Sequence, residues 1–265
     1  MSLGASTRSF GGKTVSETAR IFKDARLNCA ELCFCQTDLA GWKHNFFGRA
    51  EIPSVRDIKN AVEIFAQSGI TVSALGFYGC FFGGSSSDFV ETLRAFDRYC
   101  NAALECGIPT IATHSGTAGF LPASRGFGKE PRARLVDGFT FACIEAQKRG
   151  LTLSVECSPS DAVCGFDGFL EIRSDVEKNI GSGEMLKYTC IPVDDGKIPD
   201  PSIVGLCRIR DKKRDGRFYE RFGDGDFDFS DTLDFARKNP SVPLILEYVN
   251  SESVSSVAAE ISVLL

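Results

Sequence analysis

Histidine is scarce in this chain: only His44 and His114 occur in 265 residues, which excludes a metal cluster built mainly from imidazole. No Cys-x-x-Cys pair has a matching second pair, so the spacing of a structural zinc site is absent. No Gly-x-Gly-x-x-Gly follows the first strand-like run, and "GCFFGG" (79–84) lacks the lysine and serine of a phosphate loop. A doubly wound nucleotide-binding sheet is therefore disfavoured. No apolar run approaches the roughly 18 residues that span a bilayer, and "MSLGASTRSF" has no apolar core of a secretory signal. Charge of one sign is lacking too. Thirty basic residues against 35 acidic ones give a formal charge of −5, with the two signs interspersed. Nucleic acid and anionic membrane are poor partners for such a surface.

Cysteine, in contrast, is plentiful at eleven residues, and 43% of the chain is hydrophobic, enough for one sizeable core. Cys29, Cys33, Cys35, Cys80, Cys143, Cys190 and Cys207 lie inside apolar runs. With no leader to carry the chain outward, they read as small buried hydrophobes in a reducing cytoplasm.

Short β-like runs alternate with amphipathic stretches. With "MSL" left out of the fold, the strand candidates are "TRSFG" (7–11), "CAELCF" (29–34), "ITVSALGF" (70–77) and "IPTIATHSG" (108–116), then "LTLSVE" (151–156), "LKYTCIP" (186–192), residues 203–210 and "PLILEYV" (243–249). Helical stretches, or places for them, follow each. Ser54 caps one, with Gly69 just past its end, and "KRG" closes the helix at 131–149 on a basic last turn. Strand–helix alternation implies parallel pairing through right-handed crossovers, and eight units in this length fit a single-domain (β/α)₈ TIM barrel over residues 1–265.

The strand ends carry chemistry: Glu31, His114, Glu156, Arg208 and Glu247. Barrel active sites gather at that rim. Glu156 and Glu247 close apolar strands, where a carboxylate is costly without a partner. They pair structurally with bases or converge on a cavity as proton carriers or metal ligands. Arg208 and Arg210, two residues apart in an extended run, share one face. His114 stands where the fourth strand becomes a loop and is a candidate substrate contact. Lys187 opens the sixth strand, either as a substrate contact or as a solvated strand end. Glu31 supports a layer or pairs with a base. His44 reads as surface or lid beside Trp42, Phe46 and Phe47, and that aromatic loop (42–47) suits an interface between copies as readily as a lid, leaving a homo-oligomer open. The basic block at 210–217 reads as a solvated loop, with "KKR" (212–214) able to meet a phosphate.

In order along the chain, "CAELCF", "GITVSALGF", "THSG", "LSVE", "RIRD", "RFGDGDFDFSDTL" and "LILE" resemble the sugar phosphate isomerase/epimerase family, the xylose isomerase-like barrels. The resemblance implies a divalent metal (Mn, Co, Zn or Mg) held by glutamates at strands five and eight, matching Glu156 and Glu247. It also implies an aspartate at strand six and a histidine at strand seven. Here Ile191 and Arg208 occupy those two places, and neither side chain can ligate a cation. Glu156, Asp194 and Glu247 remain as a poor donor set, so the metal is disfavoured. The expectation is that Arg208 supplies the positive charge instead and holds the substrate's carbonyl or hydroxyl oxygen, with Arg210 as a further substrate contact. Glu156 and Glu247 would then move a proton beside the carbonyl of a small sugar, sugar phosphate or polyol, as an isomerase or epimerase does. An inactive carbohydrate-binding barrel, or a lyase or dehydratase of the same superfamily, is the alternative.

Overall fold

A computed structural model describes residues 2–39, 52–116, 129–158, 161–182, 184–191, 200–212, 218–219, 222–225 and 228–265. Eight parallel strands close on themselves: β1 (Leu3–Ser6), β2 (Cys29–Leu32), β3 (Thr71–Gly76), β4 (Thr110–His114), β5 (Thr152–Glu156), β6 (Leu186–Cys190), β7 (Val204–Ile209) and β10 (Leu244–Leu246), with β10 pairing back onto β1. Two short antiparallel strands, β8 (Asp211–Lys212) and β9 (Phe218–Tyr219), stand apart after β7. The helices are α1 (Val15–Asp24), α2 (Val55–Gln67), α3 (Ser86–Glu105), α4 (Lys129–Lys148), α5 (Gly165–Ile180), α6 (Ser230–Lys238) and α7 (Val254–Leu264). This is the expected (β/α)₈ architecture. Among the described residues no helix is long and apolar enough to cross a membrane.

Local chemistry explains the helix starts. Thr14 accepts from the Glu17 N–H while the Glu17 carboxylate accepts from the Thr14 N–H, and Ser85 and Asp88 repeat the reciprocal cap at α3. Gly181 ends α5 at φ +76°, a left-handed stop that glycine adopts without a Cβ clash.

Strand alternation divides the interior in two. Outward residues such as Leu153, Val155, Tyr188, Cys207 and Ile209 pack beneath the helices in the main core. There Phe77 meets Phe81, Phe96 and Tyr99, with ring centroids 5.7, 5.3 and 5.0 Å away. Inward residues Cys29, Ala74, Ala112, Leu206 and Ile245 form a separate small layer inside the barrel. Cys29, Cys33, Cys80, Cys143, Cys190 and Cys207 are buried free thiols and Cys35 is half-buried, in keeping with their reading as small hydrophobes.

One strand is displaced from its expected place. The sequence pattern makes residues 7–11 extended, but Thr7–Phe10 is a 3-10 turn and the strand is Leu3–Ser6, which includes Leu3 of the segment set aside. "LGAS" carries no β-branched pattern. It is a strand because it closes the barrel, with Gly4 opposite both Cys29 and Ile245. A Cβ on Gly4 would lie 2.2 Å from the Cys29 carbonyl oxygen, a backbone atom that cannot swing away. Gly4→Ala is therefore expected to lower stability by about 1–3 kcal/mol through forced strand separation, read as a fall in the urea unfolding midpoint.

Candidate active site

The inner layer predicts the site above it. Moving two residues along each strand from Cys29, Ala74, Ala112, Leu206 and Ile245 gives Glu31, Gly76, His114, Arg208 and Glu247. All five stand at the C-terminal rim of their strands, and Glu156 joins them from β5, in register with His114.

Arg208 is the centre. Its side chain is 1% exposed, and Nη1 donates to Glu156 Oε2 at 2.8 Å and to Glu247 Oε1 at 3.0 Å. Nη2 donates to Glu31 Oε1 at 2.7 Å and to the Tyr78 hydroxyl at 2.6 Å, and that hydroxyl donates in turn to Glu31 Oε1. Four of the five guanidinium N–H bonds are thus committed, and Nε has no hydrogen-bond partner among the described residues. Gly76 makes the geometry fit, because a Cβ there would lie 2.8 Å from the Tyr78 ring and 3.0 Å from Glu31 Oε1.

Arg210 adds a second cation from the same face of β7. Its Nη2 bonds Glu156 Oε1 and lies 3.1 Å from Ser158 Oγ, while Nη1 is 3.5 Å from Glu247 Oε2. Ser158 also donates to Glu156 Oε1. These contacts separate the two rim glutamates. Burial alone would push the Glu156 carboxyl up, but Arg210, Arg208 and Ser158 together hold it well below the usual carboxylate range. For Glu247 burial prevails over the two arginines, with Glu156 and Glu31 adding repulsion, so its carboxyl is pushed above the usual range. Its Oε2 has no hydrogen-bond partner among the described residues.

Glu247, though its side chain is only 5% exposed, is the rim glutamate that borders a cavity. A cavity of about 340 Å³ opens beside it, lined by Ser6, Arg8, Ser9, Tyr248 and Asn250 among others. Tyr248 has φ +57°, a left-handed conformation that is strained for an aromatic residue, and its N–H donates to Ser9 Oγ at 3.1 Å. Arg8 lies over the Tyr78 ring, 5.2 Å from its centroid, and Arg210 over the Tyr248 ring at 6.0 Å.

His114 sits at the margin of the cluster. Its Nε2 is 3.3 Å from the Tyr78 carbonyl oxygen and its Nδ1 is 3.9 Å from Asp161. Lys187, expected as a substrate contact, is not brought there. Its ammonium donates to the carbonyl of Ser202, just before β7 begins, at the N-terminal end of the barrel and away from the cavity. A lysine two strand residues below the rim has its shortest route to acceptors downward. His44, Trp42, Phe46, Phe47, Asp194, Lys213 and Arg214 lie outside the described residues.

Sequence reasoning passed over Tyr78, Arg8 and Tyr248. Tyr78 lies two residues beyond Gly76, so continuing the alternation past the strand end would have found it. Arg8 bears the same relation to Ser6 and was hidden by the misplaced first strand.

A divalent metal does not fit what is present. The guanidinium fills the space onto which Glu31, Glu156 and Glu247 converge, Ile191 is buried and apolar, and among the described residues no group of three or more His, Cys, Asp or Glu could hold a metal ion.

Arg208→Met is expected to cost about 3–5 kcal/mol at neutral pH, because it leaves buried carboxylates uncompensated. In the wild type the depressed Glu156 pKa contributes stability above the ordinary carboxylate range, near pH 4, and that contribution is lost as pH falls toward the folded value. Without Arg208 the carboxyls favour their neutral forms, so the variant's deficit grows as pH rises. Urea midpoints of both proteins at pH 5 and pH 8 should show the smaller gap at pH 5.

None of the curated proteins matches the chain by sequence. Solved structures share its fold. A 3-keto-D-glucoside 4-epimerase, YcjR, from E. coli aligns with TM-score 0.72 and 15% identity over 99% of each chain. The IOLI protein, solved with a zinc atom, aligns with TM-score 0.74 and 14% identity over 99% of this chain and 97% of its own. A xylose isomerase-like TIM barrel/4-hydroxyphenylpyruvate dioxygenase fusion protein aligns with TM-score 0.73 and 15% identity over 98% of this chain, which spans only 42% of that longer protein. At such identities these likenesses speak for the fold alone. A family model matches residues 19–182 directly, and the chain belongs to the xylose isomerase-like TIM barrel family.

Proposed function

We propose that the protein is an isomerase or epimerase of a small sugar, sugar phosphate or polyol, moving a proton at the carbon beside a carbonyl without a metal. The observation that carries this reading is Glu247: a buried residue bordering the cavity, with Oε1 fixed on Arg208 and Oε2 without a hydrogen-bond partner among the described residues, 3.5 Å from Arg210 Nη1. A raised pKa brings its proton exchange closer to neutral pH, where a carboxyl works well as acid and base in turn.

In this mechanism the Glu247 carboxyl turns its buried Oε2 toward the cavity and removes the proton, and negative charge grows on the carbonyl oxygen as the enediolate forms. Arg8, the cation on the cavity wall, stabilises that oxygen. Arg208 does not touch substrate here, since it lies beneath the carboxylates with four donors committed. It holds Glu247 in place. Glu156 is likewise engaged on both oxygens, so a relay between two glutamates gives way to one base. For isomerisation the same carboxyl returns the carbon-bound proton to the neighbouring carbon, while the hydroxyl proton of that carbon passes across the enediolate to the former carbonyl oxygen. Epimerisation would require water to protonate the opposite face.

The near-complete burial of Arg208 favours one other reading, a barrel that binds carbohydrate without chemistry, its former centre closed by ion pairs. Deuterium exchange separates the two. In D₂O with a panel of ketohexoses, 3-keto-glucosides and ketose phosphates, the wild type should place deuterium beside the carbonyl of its substrate, followed by proton NMR. Glu247→Gln should slow that exchange about 10²–10⁴-fold while leaving sugar binding in place. Saturable binding with neither exchange nor interconversion of any sugar by the wild type would favour the non-catalytic reading.

A further inference from the structure

The three carboxylates around Arg208 carry more charge than the arginines supply. Among the described residues, Glu31, Glu156 and Glu247 are opposed in direct ion pairs by Arg208 and Arg210, a balance of −3 + 2 = −1. A divalent ion in place of Arg208 would bring the sum to zero. The acceptors are also in excess, since Oε2 of Glu31 and Oε2 of Glu247 are buried without hydrogen-bond partners among the described residues. Nη1 is the telling atom. It takes one oxygen from each rim glutamate, at 2.8 and 3.0 Å, as a point cation between two carboxylates would, whereas Nη2 is turned to Glu31 and the Tyr78 hydroxyl.

We infer that the Nη1 end of Arg208 is a tethered replacement for a divalent cation, and that removing the guanidinium uncovers a cation site formed by Glu156 and Glu247. The oxygens would close from their present hydrogen-bond distances to about 2.1–2.5 Å around a hard ion, with Glu31 or water completing its shell. The wild-type protein then works and folds without divalent metal. This inference concerns the charge at the barrel centre and stands whether or not the cavity is catalytic.

The test is thermal unfolding of the wild type, Arg208→Ala and Arg208→His, each with EDTA and with Mn²⁺, Co²⁺, Zn²⁺ or Mg²⁺, together with the metal content of the washed proteins. The wild type should unfold at one temperature under all conditions and retain no stoichiometric metal. Each variant should be destabilised in EDTA and gain about 5–10 °C when an ion is present at a hundredfold excess over its dissociation constant. Adding Glu156→Gln to either variant should abolish that gain. A variant that folds only with metal supports the inference equally. Variants that fold but ignore every ion, variants that stay unfolded with and without metal, or a wild type stabilised by the ions to the same extent would each overturn it.

Discussion

A single buried guanidinium sets the conditions for the rest of this barrel. Arg208 cannot lose its proton, so the interior must supply negative charge and acceptors, and it does so from three strands at once. Taking such a group out of water is unfavourable, and its ion pairs offset that cost only when the geometry is complete. The partners are remote in sequence: Glu31 and Arg208 are 177 positions apart. The cluster therefore favours only the fully closed barrel and penalises near-native arrangements in which one strand is out of register.

The same constraint sorts the rim residues by task. Glu156, held by Arg208, Arg210 and Ser158, serves as a counter-ion. Glu247 has the same chemical type and lies on the same cation, yet it borders the cavity with a raised proton affinity. The difference comes from Arg210, whose close bond goes to Glu156 while its approach to Glu247 is 3.5 Å. Two identical side chains acquire different roles from the uneven sharing of a second arginine.

Much of this was legible in the sequence, and the reasons are specific. Strand ends such as "LSVE" and "LILE" stand out because a carboxylate closing an apolar run is tolerated only where a cation or a polar cavity meets it. Arg208 and Arg210 could be placed on one face from period two alone. Tyr78 was not legible, because its role depends on Gly76 leaving room beside it, a three-dimensional fact. Lys187 shared the parity of the site residues, but parity gives a face of the strand and not a height along the barrel axis. The first strand was missed because "LGAS" has no pattern of its own and is extended only because β2 and β10 flank it.

The cavity lies where the chain's first and last strands meet. Ser6, Arg8 and Ser9 come from the end of β1 and the turn after it, while Glu247, Tyr248 and Asn250 follow β10. Its walls are therefore the two sides of a seam, stitched by the Tyr248 N–H to Ser9 and by the pairing of β1 with β10. Any molecule lodged there acts as a clasp across the closure. Occupancy would report on the integrity of the whole ring and not on one local segment, so hydrogen exchange should slow around the full circumference when the cavity is filled.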